Sequence, residues 1–139
     1  MTEEYRPTII CLCGSSRFAQ EFVEANYCET LAGKIVLSIG VYPHGQRGEG
    51  VTDALKKKLD ELHKRKIDLA DEVLFLDALR AYCPKCSQWQ DVGFCMACGE
   101  VTEYRPYMGD STKSELDYAR GQGKKLRFLS RERLVLPNS

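Results

Sequence analysis

A chain of 139 residues, 43% hydrophobic, has the size and apolar content of one folded domain around one core. Its 20 acidic and 20 basic residues cancel, so no global charge draws it to nucleic acid or to an anionic membrane. No apolar stretch approaches the ~20 residues of a membrane span, and the polar start Thr2-Glu3-Glu4 lacks the regions of a signal peptide, which predicts a cytoplasmic protein without a membrane partner.

The first predicted element is the strand Thr8-Ile9-Ile10-Cys11-Leu12-Cys13, which breaks at Gly14-Ser15-Ser16-Arg17 before a helical pattern begins near Phe18. Such a turn suits a phosphate-sized anion. Gly14 lets the backbone approach, Ser15, Ser16 and the helix amides donate hydrogen bonds, and Arg17 adds a planar cation. The same residues also read as a plain helix cap. Phe18, Phe22, Ala25 and Ala32 mark the inner stripe of this helix, which ends near Gly33. Residues 35–39 form the second strand and open into a glycine-rich loop, 40–50, too long for a mere connector. On the next helix Leu55, Leu59, Leu62, Leu69 and Ala70 form an apolar stripe. Lys56, Lys57, Lys58, Lys64, Arg65 and Lys66 occupy its other, solvated face.

Residues 72–77 are the third strand, and a cysteine-rich segment follows it. Seven cysteines in a chain this large do not read as a disulfide framework. Cys83-Pro-Lys-Cys86 and Cys95-Met-Ala-Cys98 are spaced so that four thiolates converge on one zinc ion, with redox-active pairs as the alternative. Four protein ligands leave no open position, so this zinc is structural. Residues 78–108 therefore read as an inserted zinc ribbon, whose role is to fold the insertion, cover the site, or meet a partner or a second subunit. Only Lys85 and Asp91 are charged between Cys83 and Cys98, which argues against a nucleic-acid ribbon. Trp89 and Phe94 are available to pack on the domain or on a neighbouring subunit. Cys11, Cys13 and Cys28 sit in apolar contexts and read as small core residues.

Helical periodicity resumes over 111–121, followed by a strand at 125–129 and a short apolar segment at 134–136. Alternating strand and helix predicts an α/β fold, a parallel sheet of four or five strands with helices on both faces. Ligands bind beyond the carboxyl ends of such strands. That rule gathers the Gly14 turn, the 40–50 loop, Asp77 and the helix start Gly109-Asp110-Ser111-Thr112. Asp110 or Ser111 can cap this helix, with Glu115 one turn inside it. Taken alone these residues are a cap and a surface glutamate; beside the Gly14 turn they place a carboxylate near a phosphate-like site.

Leu12-Cys-Gly-Ser-Ser-Arg17, the Ala70-Asp71 pair before the third strand, and Asp110-Ser-Thr-x-x-Glu115-Leu-x-Tyr-Ala119 resemble the nucleoside 2-deoxyribosyltransferase superfamily. Within it the chain is most similar to the deoxynucleoside 5′-monophosphate N-glycosidases, which share a Cys-Gly-Ser-x-Arg turn. The resemblance covers most of the chain outside the ribbon and the extreme ends. It implies a compact flavodoxin-like or Rossmann-like fold and chemistry at the N-glycosidic bond of a nucleotide or nucleoside. Glu115 matches the nucleophile that attacks C1′ and forms a glycosyl-enzyme ester, which water or a second base then resolves. Cys13, Gly14, Ser15, Ser16 and Arg17 match the stretch that holds the 5′-phosphate. Gly109, Asp110 and Ser111 fall near positions that orient sugar and nucleophile, in a loop one residue shorter than that of the transferases.

Two positions depart from the family pattern. His63 stands where the family has an active-site aspartate; it can protonate a departing base or hold a phosphate, or be one more polar residue on a basic helix. Cys11 replaces an early aromatic residue near the sugar, so the base preference is not legible. Relatives complete their pockets with neighbouring subunits, which implies a homo-oligomer, and no organic cofactor is implied. Two further readings stay open: a non-catalytic nucleotide-binding or sensing module whose ribbon meets a partner, and a zinc-ribbon adaptor for nucleic acid.

Overall fold

The computed structural model describes residues 6–40 and 52–132. Most of the expected glycine-rich loop and the apolar segment at 134–136 lie outside them. In chain order the elements are β1 (Ile9–Cys13), a 3-10 turn (Ser16–Phe18), α1 (Ala19–Leu31), β2 (Ile35–Leu37), α2 (Asp53–Leu69) and β3 (Glu72–Phe75). Then come β4 (Leu79–Cys83), β5 (Gln88–Gln90), β6 (Glu103–Pro106), α3 (Asp110–Gly121), β7 (Lys125–Phe128) and α4 (Leu129–Glu132). They fall into two compact units, one of residues up to Leu76 together with Met108–Phe128, the other of Asp77–Tyr107 together with the segment from Leu129. Among the described residues no helix is long and apolar enough to cross a membrane.

The larger unit is α/β, with parallel strands in the order β2-β1-β3-β7. β1 and β3 are central and buried along nearly their whole length, which is why both read as continuous apolar runs and not as alternating ones. Cys11 and Cys13 lie opposite Val73 and Phe75, and this face packs with Ile67 of α2 and Ala119 of α3. Phe75 stacks on Phe128 of β7 at 5.5 Å between ring centres. On the other face Glu29 of α1 bonds Arg127 of β7, while Phe22 and Ala25 are buried. Helices thus cover both faces.

From β1 the chain goes outward to β2 and returns to β3 on the other side of β1, so the connections diverge at the carboxyl ends of the two central strands. Gly14 sits there. A Cβ at this position would lie 3.1 Å from Leu76 Cβ and 3.3 Å from Leu76 O, so glycine is required by the close approach of the chain leaving β3. At the other end of the sheet, Lys34 bonds Glu29 at 2.9 Å and Glu72 at 2.8 Å. Arg127 reaches the same two carboxylates at 3.0 and 2.9 Å. These two cations and two anions form a largely buried network that ties α1 to β3 and β7, and the exposed Lys125 adds a third cation 3.7 Å from Glu72.

Three expectations are corrected in this unit. The leucine stripe of α2 is not its inner face: Leu62 is 52% and Leu69 67% exposed, and Leu55 is also exposed. His63 and Ile67 are the buried residues, because the helix turns toward the sheet the side that fits against the small thiols of β1. Cys28 is exposed on α1 and not a core residue, as is Ala32 beyond its end. The expected strands run too long: that at 125–129 stops one residue early, since Leu129 begins α4, and those at 35–39 and 72–77 stop two residues early, at Leu37 and Phe75.

The smaller unit contains the antiparallel sheet β5-β4-β6. Its unit boundary at Asp77–Tyr107 lies within one residue of the expected insertion at each end. Trp89 packs inside it, edge-on to Tyr82 at 5.0 Å and to Tyr107 at 4.9 Å, whereas Phe94 is exposed. Arg105 and Arg80 lie over the rings of Tyr82 and Tyr107, which extends this small aromatic core with cationic planes.

Candidate functional site

α2 and α3 pack side by side on the Cys11–Cys13 face of the parallel sheet, and a cavity of about 340 Å³ opens between them. Lys57, Asp60, Glu61 and Lys64 line it from α2, with Ser111, Ser114 and Glu115 from α3. Its volume is in the range of about 300–1,000 Å³ usual for small-molecule sites. Ser111 and Glu115 are one helical turn apart and so share a face. Ser111 Oγ accepts from Lys56 Nζ and donates to Asp60 Oδ2 at 3.3 Å, which fixes the rim where the two helices meet.

Glu115 is 6% exposed and lies beside Cys13, the last residue of β1. Burial pushes its carboxyl up to about 7, with Asp60 and Cys11 adding to the rise and His63 and the Cys13 bond opposing it. His63, 4% exposed, is not a surface residue of a basic helix. It lies beneath the cavity with Nε2 3.1 Å from Leu12 O, 3.5 Å from Cys11 Sγ and 3.3 Å from Cys13 Sγ. Burial works against its charge, but the Cys11 sulfur and Glu115 outweigh it and raise its pKa. The bond from Cys13 brings the Cys11 thiol down to about 6 against its own burial, while Cys13 is held high by burial and by Cys11.

The structure brings Cys13, Glu115, Ser111 and His63 together, and through Cys13 the Gly14 turn continues directly from this cluster. Ser15 caps the 3-10 turn by accepting from Arg17 N at 3.3 Å, so the capping role is realised; Ser16 begins that turn and Arg17 is exposed on it. Asp110 and Ser111 do not cap α3. Its N-cap is Gly109, whose side makes no such bond, leaving Asp110 exposed in the first turn. Asp77 is buried and taken up elsewhere: its two carboxylate oxygens accept from Ser130 N at 2.9 Å and Ser130 Oγ at 2.6 Å, at the start of α4. Asp60, Glu61 and Ser114 also line the cavity and were not singled out in the sequence; Asp60 lies one turn before His63 on the same side of α2.

In the smaller unit Cys83, Cys86, Cys95 and Cys98 bring four sulfurs within 4.8 Å of one another, a group that could hold a metal ion. A tetrahedral thiolate centre with metal–sulfur bonds of about 2.3 Å has sulfur–sulfur edges of about 3.8 Å. Cys83 and Cys98 are 3.6 Å apart, and Cys95 and Cys86 3.8 Å. Each knuckle closes the same way: Ser87 N donates to Cys83 O and Gly99 N to Cys95 O, both at 2.8 Å. Ser87 and Gly99 have φ of 57° and 77°, the left-handed conformation that turns the chain back at each knuckle.

No family model, no curated protein and no solved structure matches this chain.

Proposed function

We propose that the protein hydrolyses the N-glycosidic bond of (deoxy)nucleoside 5′-monophosphates, with Glu115 as nucleophile. One observation carries this reading: a buried glutamate on the cavity wall, one turn inside a helix start, next to the end of the strand that leads into the Gly14 turn. Poor solvation leaves the ionised carboxylate reactive, and attack at C1′ replaces one difficult displacement by two easier ones. The base departs with the bonding electrons and takes up a proton, leaving a sugar ester on Glu115. Water then attacks C1′, freeing the sugar phosphate and restoring the carboxylate.

The surrounding residues suit such a substrate. Lys57 and Lys64 supply cations at the cavity and the Gly14–Arg17 turn supplies amides and hydroxyls for a phosphate, while Ser111 offers a hydroxyl to the sugar. Asp60 provides, three residues earlier on the same helix, the carboxylate that the resemblance would place at His63. The doubly covered parallel sheet is read as Rossmann-like. The four-cysteine centre is read as structural zinc: borderline-soft, tetrahedral, with all four positions filled by protein.

Release of free base from a panel of deoxy- and ribonucleoside 5′-monophosphates tests the reading, with Glu115→Gln beside the wild type. The expected outcome is release that falls by roughly three orders of magnitude or more in the variant. Saturable nucleotide binding without release, with or without an acceptor base, would instead favour a nucleotide sensor.

A further inference from the structure

Cys11 and Cys13 are two residues apart on β1, so both thiols leave the same face of the sheet, and α2 sets His63 directly against them. All three residues are buried, and their two sulfurs and Nε2 lie within 4.8 Å of one another. A tetrahedral centre with metal–sulfur bonds of about 2.3 Å and metal–nitrogen bonds of about 2.0–2.1 Å has nitrogen–sulfur edges of about 3.5 Å. The observed separations are 3.3 and 3.5 Å. Leu12 O, 3.1 Å from the same nitrogen, adds a third electron-rich atom. Nε2 carries at most one proton, which can satisfy one of these three neighbours; a divalent cation among them satisfies all.

We propose that Cys11, Cys13 and His63 form a second metal site, for zinc or a divalent ion of the same softness. Two thiolates and a neutral imidazole balance a charge of +2, so the three-ligand centre is neutral, the state a buried position tolerates best. The donor set is softer than the oxygen ligands that magnesium or calcium require. This site is separate from the four-cysteine centre and does not depend on the glycosidase reading.

Metal content of the intact chain tests it. The protein is stripped under reducing conditions, reloaded with Zn2+, freed of loosely held ion and assayed for metal per folded chain. The expected result is two equivalents in the wild type and one in His63→Gln, whose side-chain amide keeps a donor for Leu12 O. Cys13→Ala should likewise hold one. Circular dichroism and melting confirm that each variant is folded, and if Cys13→Ala is not, His63→Gln decides. Loading with Co2+ should add a second thiolate charge-transfer band, from two sulfurs and a nitrogen, that His63→Gln removes. A folded wild type holding one equivalent, or two equivalents that persist in His63→Gln, would overturn the proposal.

Discussion

A methyl group at position 14 would press on Leu76 from both its side chain and its carbonyl, and backbone cannot yield as a flexible side chain can. Gly14→Ala should therefore cost about 1–3 kcal/mol in urea denaturation, whether or not a phosphate binds at the turn. The glycine that sequence reading assigned to a ligand's approach is already needed by the chain itself. The place of Glu115 one turn inside a helix start was legible because it could be read along one segment. Asp60 was not, being one acid among many charges on a lysine-rich helix, and only the packing of α2 on α3 singles it out. Asp77 was misjudged for a related reason: the end of a central strand is a frequent ligand position, but Ser130 claims this carboxylate through a contact distant in sequence.

The strands β1, β2, β3 and β7 were all anticipated, since a strand buried on both faces announces itself as a short unbroken apolar run. α2 was anticipated as a helix but with the wrong side inward. Leucines at 55, 62 and 69 outweigh one histidine in any hydrophobic average, yet the surface awaiting α2 is a pair of thiols and the Leu12 carbonyl, which a histidine matches better. Leu62→Gln should accordingly change stability by less than about 0.5 kcal/mol, and Ile67→Ala should cost about 2–5 kcal/mol, both read from denaturant midpoints. The network at the opposite end of the sheet predicts an acid response. Burial opposes ionisation of Glu29 and Glu72, but Arg127 and Lys34 overcome it and hold both carboxyls below their usual values. Their contribution is thus complete above the unfolded carboxylate pKa of about 4.3 and is lost as pH falls through the lower folded values. The margin in melting temperature of the wild type over Arg127→Met, which isolates this network, should stay level down to about pH 5 and shrink below it.

At the scale of the whole molecule, two compact units share one chain and rely on different sources of stability. The parallel unit buries apolar surface on two sheet faces, whereas the smaller unit has a few aromatic rings and four clustered cysteines. Removing metal with a strong chelator should unfold the ribbon while the helical circular dichroism of α1, α2 and α3 persists. Loss of the tryptophan fluorescence signature of Trp89 with retained helix signal is the expected pattern; simultaneous loss of both would show the units to be one cooperative structure. The base of the ribbon has a further consequence. Leu79 pairs with Pro106, and Tyr107 N donates to Ala78 O at 3.0 Å, so the segment leaves and returns through a single doorway. Left open, a loop of about 30 residues would tax the surrounding fold by about 2 kcal/mol of chain entropy relative to a two-residue turn. Clasped at its own base, it behaves instead as a detachable cassette: a short turn in its place should leave the parallel sheet able to form, and another small domain with adjacent ends should be accepted at the same doorway.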